Sequence, residues 1–271
     1  MTATPIPRSY ALVLHSELDL SYIDEMPLGR KEIKTWLVPN EKRHKAYGWI
    51  EKQIQNTKNQ AFIIYPLIEE SEHETLQSVK SAKKEYETLQ KNIFPNLKLD
   101  LLHGKVKSRE KQRLLTGMAQ GDLDILVATP VVEVGIDIPN ATIMLIEAAD
   151  RFGLAQLHQL RGRVGRNDRQ SYCLLFTESQ SPTTKQRLKY LETVANGARL
   201  AEIDMKLRGT GDIFGTRQSG FSDFKLASLT DTALITKVRQ AIKQNLPEIN
   251  QLPPRLHDRV QDYIIQSVNP D

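Results

Sequence analysis

Five short strand-like runs rich in apolar residues, separated by segments of helical character, constrain the fold of this 271-residue chain more than any other feature. The runs are residues 61–65, 97–102, 124–128, 143–146 and 171–177. Short runs with apolar residues at consecutive positions are typical of strands that are buried on both faces of a parallel sheet. Strands that alternate with helices form such a sheet with helices on both of its faces. The sequence therefore predicts an α/β fold.

A loop with one glycine and one carboxylate follows the third of these runs. Gly135 and Asp137 lie in this loop, and parallel sheets bind ligands at the carboxyl ends of their strands. An ionised carboxylate only accepts hydrogen bonds, so Asp137 suits a ribose hydroxyl or an arginine and does not suit a phosphate. Thr129, directly after the strand, has a hydroxyl and an amide that can donate to a phosphate. The loop is therefore predicted to face a ligand.

Arginine is concentrated in the segment 159–166, which reads QLRGRVGR. Arg163 and Arg166 are three residues apart, which predicts that both project from one face of a helical turn. A guanidinium group binds phosphate oxygens in a bidentate way and suits the charge that develops during phosphoryl transfer. Gly162 and Gly165 allow the backbone to pass close to a ligand or to another domain. The alternative interpretation is a solvated face or a general nucleic-acid patch.

These elements together resemble two sequence motifs of the superfamily 2 helicases. Gly135-x-Asp137 resembles motif V, and the segment 159–166 resembles motif VI, whose pattern is Gln-x-x-Gly-Arg-x-Gly-Arg. The text DRFGLAQLHQLRGRVGR is similar to the RecG branch of DNA helicases and nearly as similar to the transcription-repair coupling translocases. Two positions depart from the pattern, since Pro130 replaces a second threonine and Ala148 replaces a common histidine. Proline removes an amide donor from the loop.

The resemblance implies a RecA-like fold of the P-loop NTPase type, with ATP bound between two such domains. It implies that Arg163 and Arg166 are catalytic arginine fingers that also bind the nucleotide, and that Gln159 is a sensor in the same site. Gly135 and Asp137 would lie near the nucleotide. No metal ligand is implied in this chain, because the Mg that accompanies ATP would be held by the first RecA-like domain.

The same resemblance implies contacts to nucleic acid. Thr129 would contact a DNA phosphate, and the His103-Gly104 pair, which follows the run 97–102, would lie beside the DNA backbone. The other interpretation of His103 is a hydrogen-bonded turn residue. Glu133 is left with two interpretations, a structural partner of motif VI in the family or a salt bridge to Arg161 or another arginine.

The beginning of the chain predicts its domain organisation. Residues 2–5, Thr-Ala-Thr-Pro, resemble motif III, which lies late in the first RecA-like domain, and no Gly-x-x-x-x-Gly-Lys-Ser/Thr loop or Mg-binding Asp-Glu box occurs in the sequence. We therefore expect the rear part of a helicase, with the wedge domain and most of the first RecA-like domain missing. Residues 1–38 would be a remnant of that domain and a linker, 39–178 the second RecA-like domain, and 179–271 a C-terminal helical region with a translocation motif.

Local signals predict several further elements. Residues 34–38 are predicted to form a short strand, Asn40 to cap a helix that runs to about Gln55, and Ser108 to cap one that runs to about Ala119. A capping box at Ser71 predicts another helix. In the tail, residues 230–244 and 253–267 are predicted to be amphipathic packing helices.

A helical hairpin is predicted after residue 178. Ser181-Pro182 predicts a helix start, Asn196-Gly197 predicts a break before a second helix that reaches about Met205, and a glycine-rich loop follows. The hairpin and loop resemble the translocation motif that RecG shares with the coupling translocases. By this resemblance Arg187, Arg208 and Gln218 couple ATP turnover to DNA movement. Thr210 stands where the family usually has proline.

Composition restricts the class of protein. The net charge is +4, which permits an anionic partner, and the single cysteine, Cys173, lies in a strand-like run where packing is its expected role. No disulfide framework, zinc site, membrane span or signal peptide is predicted. We expect a monomeric cytoplasmic protein.

The sequence thus predicts the C-terminal motor portion of an ATP-dependent DNA helicase or translocase that remodels branched DNA in recombination and repair. Its partner would be branched or duplex DNA, and the chain alone would be inactive as an ATPase because both phosphate-binding and Mg-binding boxes are absent. Two alternatives are a non-catalytic DNA-binding fragment or gene remnant, and the equivalent part of a transcription-repair coupling translocase.

Overall fold

A computed structural model describes residues 31–66, 82–130 and 138–208, together with a few isolated positions beyond residue 208. Six strands form one sheet within these residues: β1 (Lys34–Leu37), β2 (Gln60–Ile64), β3 (Leu99–Leu102), β4 (Ile125–Ala128), β5 (Ala141–Ile146) and β6 (Tyr172–Leu175). Their order is β1-β6-β5-β2-β4-β3, and every neighbouring pair is parallel. The predicted parallel sheet is confirmed.

Between residues 31 and 208, the described part of the chain has six α-helical segments that connect or follow the strands. They are α1 (Arg43–Thr57), α2 (residues 82–88), α3 (Ser108–Gln120), α4 (Leu154–Arg161), α5 (Pro182–Thr193) and α6 (Gly197–Arg208). A 3-10 turn, Asn40–Lys42, precedes α1, and a second one, Ala149–Arg151, precedes α4. The helix α2 continues into a π-helical turn, Leu89–Ile93.

The two faces of the sheet contact separate apolar clusters, because successive residues of a strand point to opposite sides. Phe62 and Met144 belong to the cluster that includes buried leucines of α3, α4, α5 and α6. Ile63 and Leu145, the next residue of each strand, belong to the cluster that includes α1 and the π-helical turn. Helices therefore cover both faces, as predicted. The buried free thiol of Cys173 lies in the first cluster, which confirms its packing role.

Three of the four predicted helix caps lie in the described residues, and they differ in outcome. Ser181 caps α5 as predicted, since its Oγ accepts a hydrogen bond from the Thr184 amide and proline takes the first helical position. The predicted caps at Asn40 and Ser108 are wrong. Asn40 begins a 3-10 turn that leads into α1, and Ser108 is already the first residue of α3, without a side-chain cap in either case. A 3-10 turn is an alternative way to begin a helix, which a cap-based prediction does not foresee.

Strand β1 lies before residue 39, where the sequence predicted the second RecA-like domain to begin. It nevertheless pairs with β6 in register from Lys34↔Tyr172 to Leu37↔Leu175. The helical hairpin is present as α5 and α6, and both pack against α4 through the first apolar cluster. The predicted capping box at Ser71 lies outside the described residues, and so do most residues of the tail helices predicted at 230–244 and 253–267. Within the described part, no helix combines the length and apolar character needed to cross a membrane.

Candidate functional site

The carboxyl ends of the parallel strands place several candidate residues along one edge of the sheet. Thr129 follows β4, and the His103-Gly104 turn follows the neighbouring edge strand β3. The Thr129 amide donates to the Leu102 carbonyl at 3.1 Å, which ties the two strand ends together. Thr129 is only 1 % exposed, and its Oγ1 has no hydrogen-bond partner among the residues that the structure describes. The predicted nucleic-acid residues are therefore neighbours, with the threonine hydroxyl beneath the surface.

The His103 imidazole is half-buried beside an exposed glycine. Its Nδ1 accepts a hydrogen bond from the Lys105 amide at 3.3 Å, so it also serves as a turn residue. Burial lowers the pKa of His103, and the charges of Lys105 and Lys83 lower it further. The lowered pKa favours the neutral imidazole, which has Lys83 and Lys105 as its charged neighbours.

Part of the predicted nucleotide site falls in residues 131–137. Gly135 and Asp137, predicted near the nucleotide, and Glu133, predicted as a partner of an arginine, lie outside the described residues. Their roles stay predictions.

The segment with the two predicted arginine fingers is a turn and not a helix. Helix α4 ends at Arg161, and Gly165 has a φ of +72° in the left-handed region. The predicted helical turn beneath Arg163 and Arg166 is therefore wrong, because the backbone at Gly165, between them, is left-handed and not right-handed helical. Gly162 has an ordinary helical φ of −68°, so its predicted role of close approach is not required by its conformation. Arg166 is exposed, whereas Gln159 and Arg163 are half-buried. We name residues 162–166 the arginine turn.

Gly165 itself is required by its surroundings. A Cβ at this position would lie 3.0 Å from Cγ1 and 3.3 Å from Cδ1 of Ile33. Its positive φ is strained for any residue with a side chain. The sequence predicted a close approach of this glycine to a ligand or to another domain. The close neighbour in the structure is Ile33, which precedes β1.

Arg161, which the sequence analysis considered only as a possible partner of Glu133, connects α4 to the hairpin. It is only 6 % exposed, and its guanidinium donates to the carbonyls of Leu191, Val194 and Ala195 at 2.7 to 3.2 Å. It also lies 2.9 Å from Nδ1 of His158. The last carbonyls of a helix lack helical partners and carry partial negative charge, so a guanidinium stabilises the end of α5. The sequence signal for this contact was the position of Arg161 in the last turn of its helix.

Arg187 makes the matching contact in the opposite direction. This residue of α5 donates to the carbonyls of Asp150 and Phe152 at 2.7 and 2.8 Å, in the turn that precedes α4. Its guanidinium also lies 4.0 Å from Oδ1 of Asp204 on α6. The predicted coupling residue therefore joins the sheet domain to both hairpin helices. The side chains of Arg208 and Gln218 lie outside the described residues.

A close contact fixes the start of α6 against α4. A Cβ built at Gly197 would lie 2.7 Å from Nε2 and 2.8 Å from Cδ2 of His158. Only glycine allows this approach without a shift of the imidazole. The predicted break at Asn196-Gly197 is therefore a packing site as well as a turn.

An ion pair between a buried glutamate and a half-buried arginine, which the sequence does not indicate, holds the start of the loop between β5 and α4. Glu147 follows β5 and binds Arg43 of α1, and it also accepts a hydrogen bond from the Tyr47 hydroxyl at 2.8 Å. Burial raises the pKa of Glu147, whereas Arg43 and Tyr47 act to lower it by stabilising the carboxylate. The Arg43 guanidinium also lies 4.6 Å from the centre of the Phe176 ring. These contacts hold the backbone next to Ala148, whose φ of +44° is unusual for a residue with a side chain.

Two protein-family models match parts of this chain. The family model of the helicase conserved C-terminal domain matches residues 47–168, and the model of domain 3, C-terminal, of the ATP-dependent DNA helicase RecG matches residues 194–253. The first match contains strands β2 to β5 and the arginine turn. The second begins at the turn between the hairpin helices.

Curated relatives and a solved structure extend the similarity over nearly the whole chain. The ATP-dependent DNA helicase RecG of Synechocystis is 48 % identical over 92 % of this chain and 30 % of its own length. The RecG of Thermotoga maritima is 46 % identical over 94 % of this chain and 32 % of its own length. A structure of RecG bound to a three-way DNA junction has a TM-score of 0.66 at 45 % identity, over 87 % of this chain and 30 % of that one.

The chain spans about a third of the length of these curated relatives. This chain therefore belongs to the RecG-like branch of the superfamily 2 helicases, and it matches the helicase conserved C-terminal domain and the C-terminal part of RecG domain 3.

Proposed function

We propose that this chain is the C-terminal motor portion of an ATP-dependent DNA helicase that remodels branched DNA in recombination and repair. The observation that carries the proposal is the mutual attachment of α4 and the hairpin through Arg161 and Arg187. Helix α4 ends at the arginine turn, so the hairpin is attached to the element that is predicted to contact ATP. The names of the relatives, and of a solved structure of RecG on a three-way DNA junction, support the choice of DNA.

The arginine turn fits an anionic polyphosphate by the chemistry of its donors. Guanidinium groups form bidentate hydrogen bonds with phosphate oxygens, and ATP with Mg would supply the phosphoryl group when held by the first RecA-like domain. In this proposal Arg163 and Arg166 stabilise the charge of the transferring phosphoryl group, and Gln159 senses the nucleotide from the preceding helix. Gly135 and Asp137 complete the site.

DNA would lie along the edge formed by the ends of β3 and β4. The His103-Gly104 turn and the Thr129 backbone lie together there, with Lys105 and Lys107 exposed nearby. Cations and backbone amides bind phosphates without reading the sequence, so the proposed binding is sequence-independent and weakens with salt. The protein would act as a monomer in the cytoplasm.

Coupling in this proposal depends on the hairpin. Arg187 contacts the turn before α4, and Arg208 and Gln218 would complete a polar latch with the glycine-rich loop that follows α6. A stiff helical pair attached at both ends of α4 transmits a small rotation of that helix as a displacement. The latch residues therefore take no part in hydrolysis itself.

Two measurements test the proposal. The isolated chain should show no DNA-stimulated ATP hydrolysis, and its affinity for labelled duplex should fall with salt. In a chimera, this chain replaces the matching portion of the Thermotoga maritima relative. The chimera should unwind forked DNA, and Arg163→Ala should abolish both ATPase and unwinding.

The coupling role is tested in the same chimera by Arg187→Ala, with Arg199→Ala as the matched control on α6. Arg187→Ala should retain most of the ATPase and lose most of the unwinding, whereas Arg199, in an exposed pair with Glu202, should be dispensable. A chimera that binds DNA but neither hydrolyses ATP nor unwinds forks would refute the motor function and favour a non-catalytic DNA-binding role.

A further inference from the structure

Strand β1 forms one edge of the sheet, and one side of its backbone is occupied by β6. The pairing runs from Lys34↔Tyr172 to Leu37↔Leu175. The Lys34 amide donates to Ser171 and the Val38 amide donates to Leu175, each at 3.0 Å, so the ladder extends to both ends of the strand. We name residues 32–37, which include β1, the strap.

The other side of the strap is tied to the hairpin. The Leu37 amide points away from β6 and donates to Oε1 of Glu192 at 2.6 Å. Glu192 lies in the last turn of α5 and is exposed. Its side-chain oxygen satisfies a backbone amide at the edge of the sheet, where a strand has no neighbouring strand to accept from it. The strap and the hairpin are thus joined across 155 positions of sequence.

The beginning of the strap packs on the arginine turn. Ile33 lies against Gly165, where a Cβ would come within 3.0 Å of its Cγ1. The Glu32 carbonyl accepts a hydrogen bond from Nε2 of Gln170 at 2.9 Å, just beyond the same turn. The six residues of the strap therefore contact both moving parts of the proposed motor, the turn with the arginine fingers and the hairpin.

We propose that the strap is a coupling element, with Glu192 as the positioning residue that ties it to the hairpin. This inference rests on the proposed function. The chain enters the sheet through the strap. A force on the strap therefore acts on Ile33, which packs on the arginine turn, and on Leu37, which is hydrogen-bonded to α5. A displacement of the preceding part of the protein is thereby transmitted to both parts at once.

The contact is tested by amide hydrogen exchange in this chain. Glu192→Ala should make the Leu37 amide exchange about tenfold faster, since one net hydrogen bond corresponds to roughly that factor. Glu192→Gln keeps an acceptor oxygen and should restore most of the protection. The Val38 amide, which donates to β6, should be unchanged in both variants. Glu202→Ala, on α6, is the matched control. Unchanged exchange of Leu37 in Glu192→Ala would show that the tie is absent and would overturn the inference.

The coupling role is tested in the chimera with the Thermotoga maritima relative. Glu192→Ala should lower the number of forks unwound per ATP hydrolysed by about tenfold and leave the DNA-stimulated ATPase near its original rate. Glu192→Gln should recover the ratio, which a defect in folding would not do. Equal loss of ATPase and unwinding would refute the coupling role while the proposed function stands. A parent chimera without either activity would refute the proposed function and the coupling role together, and the exchange experiment would still decide the contact.

Discussion

Arg161 and Arg187 make reciprocal contacts, since each arginine binds backbone carbonyls at the end of, or directly before, the helix that carries the other. Arg161, at the end of α4, donates to the carbonyls at the end of α5. Arg187, within α5, donates to the carbonyls of the turn that leads into α4. Each guanidinium replaces water at backbone oxygens that have no helical partner, so the two helices are fixed at two separate points. A rotation of one helix therefore requires movement of the other.

The first prediction concerns Arg161. Arg161→Ala should reduce the free energy of unfolding by about 3 kcal/mol, because a charged donor is lost from buried carbonyls at the end of α5. Arg161→Lys should show a smaller loss, since lysine keeps a charged donor. Some loss remains because an ammonium group cannot reach all of these oxygens. Urea unfolding followed by circular dichroism measures the difference. Arg199→Ala, which removes an exposed pair, should change stability by less than about 0.5 kcal/mol, and equal losses for both arginines would contradict the prediction.

The second prediction compares two glycines in helices. Gly197→Ala should lower the free energy of unfolding by about 1 to 3 kcal/mol, because its Cβ would lie 2.7 Å from the His158 ring. Gly48→Ala in α1 should raise it by about 0.5 to 1 kcal/mol, because no atom lies within 4 Å of that Cβ and alanine favours the helix. In the double variant with His158→Ala, the loss at Gly197 should shrink. The same unfolding assay decides, and a stabilising Gly197→Ala would contradict the packing.

The third prediction concerns backbone strain at Ala148. Its φ of +44° costs an L-residue about 1 to 2 kcal/mol, and glycine in the unfolded chain costs about 0.5 to 1 kcal/mol of entropy. Ala148→Gly should therefore raise the free energy of unfolding by about 0.5 to 1 kcal/mol. Lys58→Gly, at the other non-glycine position with positive φ in the described residues, should act in the same direction. Ala119→Gly, exposed in α3, is the control and should lower stability by about 1 kcal/mol.

The fourth prediction concerns pH. Because burial and two lysines lower the pKa of His103, its folded pKa lies below its unfolded value of about 6.5. The unfolded chain then binds the proton more readily, so the stabilising contribution is complete above the unfolded pKa and is lost as the pH falls through the folded pKa. Between about pH 7 and about pH 5, His103→Gln should therefore lose less stability than the parent chain. Urea titrations of both proteins measure this difference, and parallel pH profiles would exclude a contribution from His103.

The sequence predicts those parts of the fold that are encoded locally. Strands β2 to β6 are recognisable because each lies in a run rich in apolar residues, and the start of α5 because Ser181 and Pro182 are adjacent. The direction of the sheet follows from the alternation of strands and helices. The hairpin was recognisable from the break at Gly197.

The contacts that hold the site together are not local, which explains what the sequence could not show. Arg161 binds carbonyls about 30 positions away, and Arg43 and Glu147 are 104 positions apart. The shape of the arginine turn depends on Gly165, whose neighbour Ile33 comes from the other end of the sheet domain. No spacing rule within a helix or a strand relates such residues, so the helical turn beneath the arginines was predicted incorrectly.

The pairing of β1 with β6 has a consequence for synthesis of the chain. Lys34 pairs with Tyr172, so the first strand cannot be completed as part of the sheet until its partner, 138 residues later, has left the ribosome. At about 5 to 20 residues per second this delay is about 7 to 28 s. During that time the indole of Trp36, which stacks on Tyr172 in the finished fold, is without its partner. Strand β1 is therefore the edge strand that waits longest for its partner, and a chaperone of the nascent chain would have to cover Trp36 during that time.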